Sequence, residues 1–289
     1  INIGKTLFII ISKSGNTIET IANFLFLIDF KKNSKNIIII SEKKDSVLYS
    51  LTKKFDLFYI EHKNNIGGRY SVLSEVGMVP AYFMGLDIKK IRKNLKKYLK
   101  INEVSKLKNN SLILAKMLNQ KKKNNLIFLN YEPKLEKFLF WCQQLMAESL
   151  GKKGKGFLPL ISNVPKDHHS LLQLYLEGPK DKFFYIFSLE EKIERKLNTK
   201  KLTNKINFLN HKDLNSIKKA QKKALIKVFN EKNIPYREFK LKKINESVIG
   251  ELFSYFILET ITVANLADIN PYDQPAVEKV KEYTKNFLR

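Results

Sequence analysis

Cysteine is nearly absent: Cys142 is the single one among 289 residues. That excludes a disulfide framework and any zinc site built on several thiolates. Arginine is scarce too, occurring only at positions 69, 92, 195, 237 and 289. Long apolar runs are missing; none approaches the length of a membrane span, and the opening residues do not read as a secretory leader. A soluble, cytoplasmic chain without a membrane partner is the expectation. What is present argues against global disorder: 44% of residues are hydrophobic and 11% aromatic. A chain of this length suggests one large or two ordinary domains, able to bury a core without disulfides or metals. Ile1 is not a start methionine, so the sequence is expected to begin inside a longer product.

Negative charge is also in short supply, with 28 acidic residues against 53 basic ones, hence 53 − 28 = +25. Nucleic acid attracts such charge, but the distribution points elsewhere. Almost all the excess is lysine, whereas arginine is better suited to bidentate recognition of bases and phosphates. The lysines are spread over every region, mixed with Asn and Ile, as a bias towards A-rich codons would produce. No nucleic-acid partner is expected, and the charge is read as solubility and steering.

Strand-like runs alternate with helical patterns, the signature of an α/β fold with parallel sheets. In the first half, strands are predicted at Thr6–Ser12, Ile37–Ile40 and Leu57–Ile60. Thr6–Ser12 (TLFIIIS) is apolar on both faces, as an interior parallel strand should be. Helices are predicted at Thr17–Asp29, Ser74–Leu86 and from Asp87 to about Met117. Lys121–Asn125 (KKKNN) reads as a boundary. The rhythm then restarts, with strands at Leu126–Asn130, Phe157–Ser162, Phe183–Ser188 and Tyr236–Lys240. Helices fall at Lys134–Leu150, His169–Leu176, Asp213–Phe229, Glu246–Ala267 and Gln274–Phe287.

Five constellations could carry chemistry. Ser12-Lys13-Ser14-Gly15-Asn16-Thr17 sits between a buried strand and a helix, where hydroxyls and exposed amides suit a phosphate. Asn16 with Glu19 also fits a helix-capping box. Gly67-Gly68-Arg69 joins two glycines, which allow a tight bend, to an arginine in a chain that avoids arginine. Gln144 and Glu148 lie four apart on one helical face, followed by glycines at 151, 154 and 156; Glu148 could be a general base. The simpler role for that carboxylate is a pairing with one of the many lysines. Asp167-His168-His169 holds two of the four histidines. Adjacent residues face different ways, so acid–base work is a sharper expectation than metal binding. Asn270-Pro271-Tyr272-Asp273-Gln274-Pro275 opens the last helix, where Pro275 suits the first turn. On that helix Lys281 borders the stripe Val277, Val280, Thr284 and Phe287.

Taken in this order, the motifs resemble one family, glucose-6-phosphate isomerase (phosphoglucose isomerase), built on two sugar isomerase (SIS) domains. The resemblance runs through SKSGNTIET (Ser12–Thr20), GGRYS (Gly67–Ser71), AESLGKKGKG (Ala147–Gly156), HSLLQLY (His169–Tyr175) and NPYDQPAVEKVK (Asn270–Lys281). It departs at Ala276, where the family usually has glycine, and at Glu75, where a small residue or proline is common. An upstream glycine–serine segment of the family has no counterpart here.

The resemblance implies an α/β fold of two SIS-type αβα sandwich domains with parallel sheets, the first incomplete at its N-terminus. The expected division is 1–88, a helical connection 89–123, a second domain 124–269, and a C-terminal helix 270–289. It further implies interconversion of glucose 6-phosphate and fructose 6-phosphate through a cis-enediol, with no metal, nicotinamide or flavin. Ser12, Lys13, Ser14 and Thr17 match the phosphate loop, Lys13 chiefly through its backbone amide. Arg69 matches the arginine that stabilises the enediol-type intermediate. Glu148 matches the proton-carrying base, with Gln144 beside it. His169 and Lys281 match the ring-opening residues, and Gln274 a further substrate contact. The family's histidine crosses a subunit interface, so a homodimer with shared sites is implied. A non-catalytic sugar-phosphate sensor would lack the Glu, His and Lys set, and an amino-sugar synthase domain would differ around Glu148 and His169.

Overall fold

The computed structural model describes residues 2–27, 34–190, 195–200 and 202–288. They form two compact units, one of residues 1–96 with 249–254, the other of residues 97–248 with 255–289. The expected connection 89–123 is divided between the two: α4 (Ile88–Arg92) belongs to the first and α5 (Ile101–Gln120) to the second.

In the first unit, β1 (Phe8–Ile11), β2 (Ile37–Ser41) and β3 (Phe58–Glu61) form a parallel sheet in the order β1-β2-β3. The register pairs Phe8 with Ile37 and Ile38 with Phe58. β2 is buried along its whole length, as its unbroken run of isoleucines requires. The strand over Thr6–Ser12, expected to take a second neighbour from upstream sequence, pairs with β2 among the described residues, and Phe8–Ile11 are each half-buried. One face of the sheet packs Ile37 and Ile39 against Phe24 of α1 (Ile18–Leu27) and Leu48 of α2 (Val47–Phe55). α3 (Glu75–Phe83) follows a tight 3-10 turn, Gly68–Leu73. Gly77 is required here, since a side chain would sit 2.0 Å from the Val72 carbonyl oxygen. The expected helix over Thr17–Asp29 is described as far as Leu27; positions 28 and 29 lie outside the described residues.

The second unit holds four parallel strands, β4 (Asn125–Asn130), β5 (Leu158–Asn163), β6 (Lys182–Leu189) and β7 (Tyr236–Leu241), in the order β5-β4-β6-β7. Alternate residues point to opposite faces. Ile127, Leu129, Phe184 and Ile186 pack on Leu225 and Phe229 of the long helix Leu214–Glu231. On the other face Phe187 stacks on Phe239 and meets Phe138 and Phe256. Each such buried side chain stabilises the fold by about 1.5–3 kcal/mol. In chain order the remaining helices are α6 (Glu136–Leu150), α7 (Leu172–Glu177), α8 (Leu214–Glu231), α9 (Glu246–Leu266) and α10 (Pro275–Phe287).

Two expectations change. α9 is long and apolar enough, by length and composition, to cross a membrane, although no such run stood out in the sequence. Half of that window is buried in the fold, including the charged Glu259. In α10 no residue is buried, so the stripe Val277, Val280, Thr284 and Phe287 lies exposed rather than facing a core of this chain.

Candidate active site

The loop after β1 is built around Gly15, whose φ of +66° suits glycine. A side chain there would also sit 2.3 Å from Ser46 Oγ. Ser12 and Thr17 share a hydrogen bond of 2.8 Å across the loop, and Ser14 Oγ accepts from the Asn16 amide at 3.2 Å. Asn16, whose spacing to Glu19 suggested a cap, reaches to the next helix: its Oδ1 accepts from the Val47 amide at 2.9 Å, tying the loop to the start of α2. Lys13 turns its ammonium to Glu42, 3.3 Å away. Burial opposes ionisation of Glu42, but hydrogen bonds and charge from Lys44 and Lys13 prevail and hold its carboxyl below the usual range. The phosphate-type features left in the loop are therefore hydroxyls and backbone.

Arg69 is buried within the turn Gly68–Leu73, its guanidinium 5.4 Å from the centroid of the Tyr70 ring. The bend expected at the two glycines is this turn, made without left-handed backbone: Gly67 has φ −64°. A Cβ on Gly68 would meet nothing within 4 Å, so the fold itself leaves room beside Arg69. This turn and the Ser12–Thr17 loop both follow the carboxyl ends of strands in one parallel sheet, the edge at which such sheets bind ligands.

In the second unit, Glu148 is half-buried near the end of α6, and Gln144 Nε2 donates to its Oε1 at 3.0 Å. The helix ends where Gly151 donates to the Ala147 carbonyl at 2.9 Å, and Gly154 and Gly156 then take φ values of +67° and +146°. The lysines of this segment had no role assigned from sequence. Lys152 Nζ lies 2.7 Å from Asp273 Oδ1, holding that carboxyl below its ordinary pKa by hydrogen bond and charge. Lys155 donates to the Ala267 carbonyl at 2.8 Å. The Glu148 loop is thus tied to the segment that precedes Gln274, which is itself half-buried at the start of α10.

The two adjacent histidines part company. His168 is half-buried and shares a hydrogen bond of 3.1 Å with the Tyr131 hydroxyl. Burial, then the charge of His169, lowers its pKa against the opposing pull of Asp167. His169 is exposed. Lys281 is exposed as well, and its Nζ pairs with Glu278 at 2.7 Å. Sequence reasoning missed His62, fully buried directly after β3 and hydrogen-bonded to Glu75. The one available signal was the departure at Glu75. Among the described residues no group of three or more His, Cys, Asp or Glu could hold a metal ion.

A family model for phosphoglucose isomerase matches residues 1–157. The chain is also 34% identical, across its whole length, to a probable glucose-6-phosphate isomerase of Methanococcus maripaludis, of which it spans 67%. The chain belongs to the phosphoglucose isomerase family. It is 31% identical to a glucose-6-phosphate isomerase of Methanocaldococcus jannaschii, again over its full length and 73% of that protein. A glucose-6-phosphate isomerase structure from Chlamydia trachomatis shares the fold, with a TM-score of 0.81 at 18% identity, covering 100% of this chain and 60% of that one. Within the phosphoglucose isomerase family, the two parallel sheets are those of sugar isomerase domains, as the motifs implied.

Proposed function

We propose that Glu148 carries a proton between C2 and C1 of an open-chain hexose 6-phosphate while Arg69 stabilises the enediolate. The reaction is that of the family, an aldose–ketose isomerisation interconverting glucose 6-phosphate and fructose 6-phosphate in glycolysis and gluconeogenesis. The observation that carries the assignment is the Gln144–Glu148 hydrogen bond at a glycine-rich helix end. The amide holds the carboxylate in a fixed orientation, as a group that passes a proton between two carbons requires. Such a positioned base supplies about 10²–10⁴-fold.

The other roles follow from chemistry. An enediolate concentrates negative charge on oxygen, and a buried guanidinium stabilises it without reorganising. The Ser12, Ser14 and Thr17 hydroxyls and the Lys13 amide hold the phosphate, far from the reacting carbons, and so orient them. His169 and Lys281 open the ring, and Gln274 adds a contact. The exposure of His169 and of the apolar stripe on α10 supports a homodimer in which these residues complete the site of a second copy. The working protein is a cytoplasmic dimer without nucleic-acid or membrane partner.

The test is Glu148→Gln, which keeps shape and removes basicity. kcat should fall at least about 10²-fold while inhibition by inorganic phosphate stays unchanged. A variant keeping more than about a tenth of wild-type kcat refutes the role.

A further inference from the structure

We infer that His62 and Glu75 form a positioning pair that fixes the Arg69 segment for isomerisation, an inference that rests on the assignment of Arg69 to the enediolate. His62 is the first residue beyond β3 and is 1% exposed. Its Nε2 lies 3.0 Å from the Ile66 carbonyl oxygen. A carbonyl only accepts, so Nε2 carries a proton and donates. The opposite nitrogen, Nδ1, hydrogen-bonds Glu75 Oε1, and Glu75 is the first residue of α3. One ring therefore joins three points of the chain: the end of β3, the residue before Gly67, and the start of the helix after the turn.

Everything between those points is the segment that bears Arg69. Inside it, Ser71 Oγ donates to the Gly68 carbonyl and Ser74 Oγ to the Ser71 carbonyl, each at 2.7 Å. From outside, Arg92 Nη1 donates to the Leu73 carbonyl at 2.6 Å, and Gly77 lets α3 close on Val72. These contacts brace the turn from Gly68 onward. His62 adds a brace at Ile66, where the chain enters the turn, and Glu75 sets the orientation of that ring. The same pair accounts for the departure at Glu75: a small residue or proline there could not reach the imidazole. Neither residue need touch substrate. A guanidinium misplaced by about 1 Å can cost up to about 10²-fold in rate, and the cost falls on the step that develops charge.

The experiment compares Glu75 variants in the full chain, because Glu75 is 23% exposed at its side chain and its removal opens little core volume. Glu75→Ala should lower kcat about tenfold or more, with KM for fructose 6-phosphate and inhibition by inorganic phosphate within about twofold. Glu75→Gln should stay within about threefold of wild type, since its amide can donate to Nδ1. His62→Val should match Glu75→Ala, and the double variant should be no worse than the poorer single one. Arg69→Ala is measured in parallel. Full kcat in Glu75→Ala beside an inactive Arg69→Ala overturns the pair alone. Full kcat in Arg69→Ala overturns the Arg69 assignment and this inference with it. Equal losses in the Ala and Gln variants, KM rising in step with the loss of kcat, or losses that multiply in the double variant also overturn it.

Discussion

Lys13 and Glu42 face each other across adjoining loops, with Lys13 Nζ 3.3 Å from Glu42 Oε1 and Lys44 Nζ 2.5 Å from its other oxygen. The ammonium of this loop lysine is thereby paired with a carboxylate, so in the proposed phosphate site only its amide is left to face the ligand. Lys13→Met should then raise KM for fructose 6-phosphate no more than about fivefold, the equivalent of the ~1 kcal/mol upper end for a partly exposed ion pair. Thr17→Val removes a hydroxyl and breaks the Ser12 contact, and should raise KM about tenfold or more, as loss of a hydrogen bond to a charged group does. Steady-state kinetics on both variants decides; a larger KM effect at Lys13 than at Thr17 would show the ammonium reaching the phosphate.

Stability should fall in acid through His168. Burial lowers its pKa from the ordinary 6.5, His169 adds to this, and Asp167 partly opposes it. The folded state favours the neutral ring, so the unfolded chain binds the extra proton first. The contribution is present in full above about pH 6.5 and is lost as pH drops through the folded value below it. Melting temperature should decline from pH 6.5 to 5 in the wild-type protein and decline less in His168→Asn. Parallel curves for the two proteins would remove His168 as the cause.

Periodicity and β-richness placed all seven described strands within a few residues, because buried parallel strands are unbroken apolar runs, whereas the helix expected from Asp87 to about Met117 is broken into Ile88–Arg92 and Ile101–Gln120. The loop Ser12–Thr17, the turn at Arg69 and the helix end at Glu148 were legible as local structure because glycine, hydroxyl and carboxylate spacing survives in a linear string. What was not legible is which partner a polar side chain chooses across the fold. Asn16 matched a capping pattern for its own helix, and its side chain also accepts from the Val47 amide at the start of α2. His168 and His169 are neighbours in sequence, and only tertiary packing of Tyr131 separates the structural ring from the exposed one.

The buried Arg237–Glu259 pair should dominate the stability of the second unit. Glu259 is fully buried and accepts from Arg237, from Tyr255 at 2.7 Å and from Tyr185 at 3.4 Å. The arginine also stacks over Tyr185, 4.8 Å from its centroid. Burial, with the Glu259 charge, pushes both tyrosine pKa values up, so they remain donors throughout the working range. Glu259→Ala strands a largely covered guanidinium and two hydroxyls, and should cost roughly 3–5 kcal/mol in urea unfolding. Glu259→Gln keeps acceptors and volume and should cost less. A loss below about 1 kcal/mol in Glu259→Ala would mean that water or a neighbour replaces the carboxylate.

Two inactive variants should restore each other if sites are shared between copies. Glu148 sits half-buried at a helix end, whereas His169 is exposed in the loop that follows β5. A Glu148→Gln chain still carries an intact His169, and a His169→Ala chain still carries an intact Glu148. In a mixed dimer with donated histidines, one site then receives both wild-type residues and the other receives neither. Random exchange between equal amounts gives half of all dimers as hybrids, each with one good site of two. Activity should therefore recover to about a quarter of wild type per site, provided that each site works independently. Exchange is followed separately with a tagged and an untagged chain on size-exclusion chromatography. If tagged and untagged chains demonstrably mix and activity stays at the level of the single variants, His169 acts within its own chain.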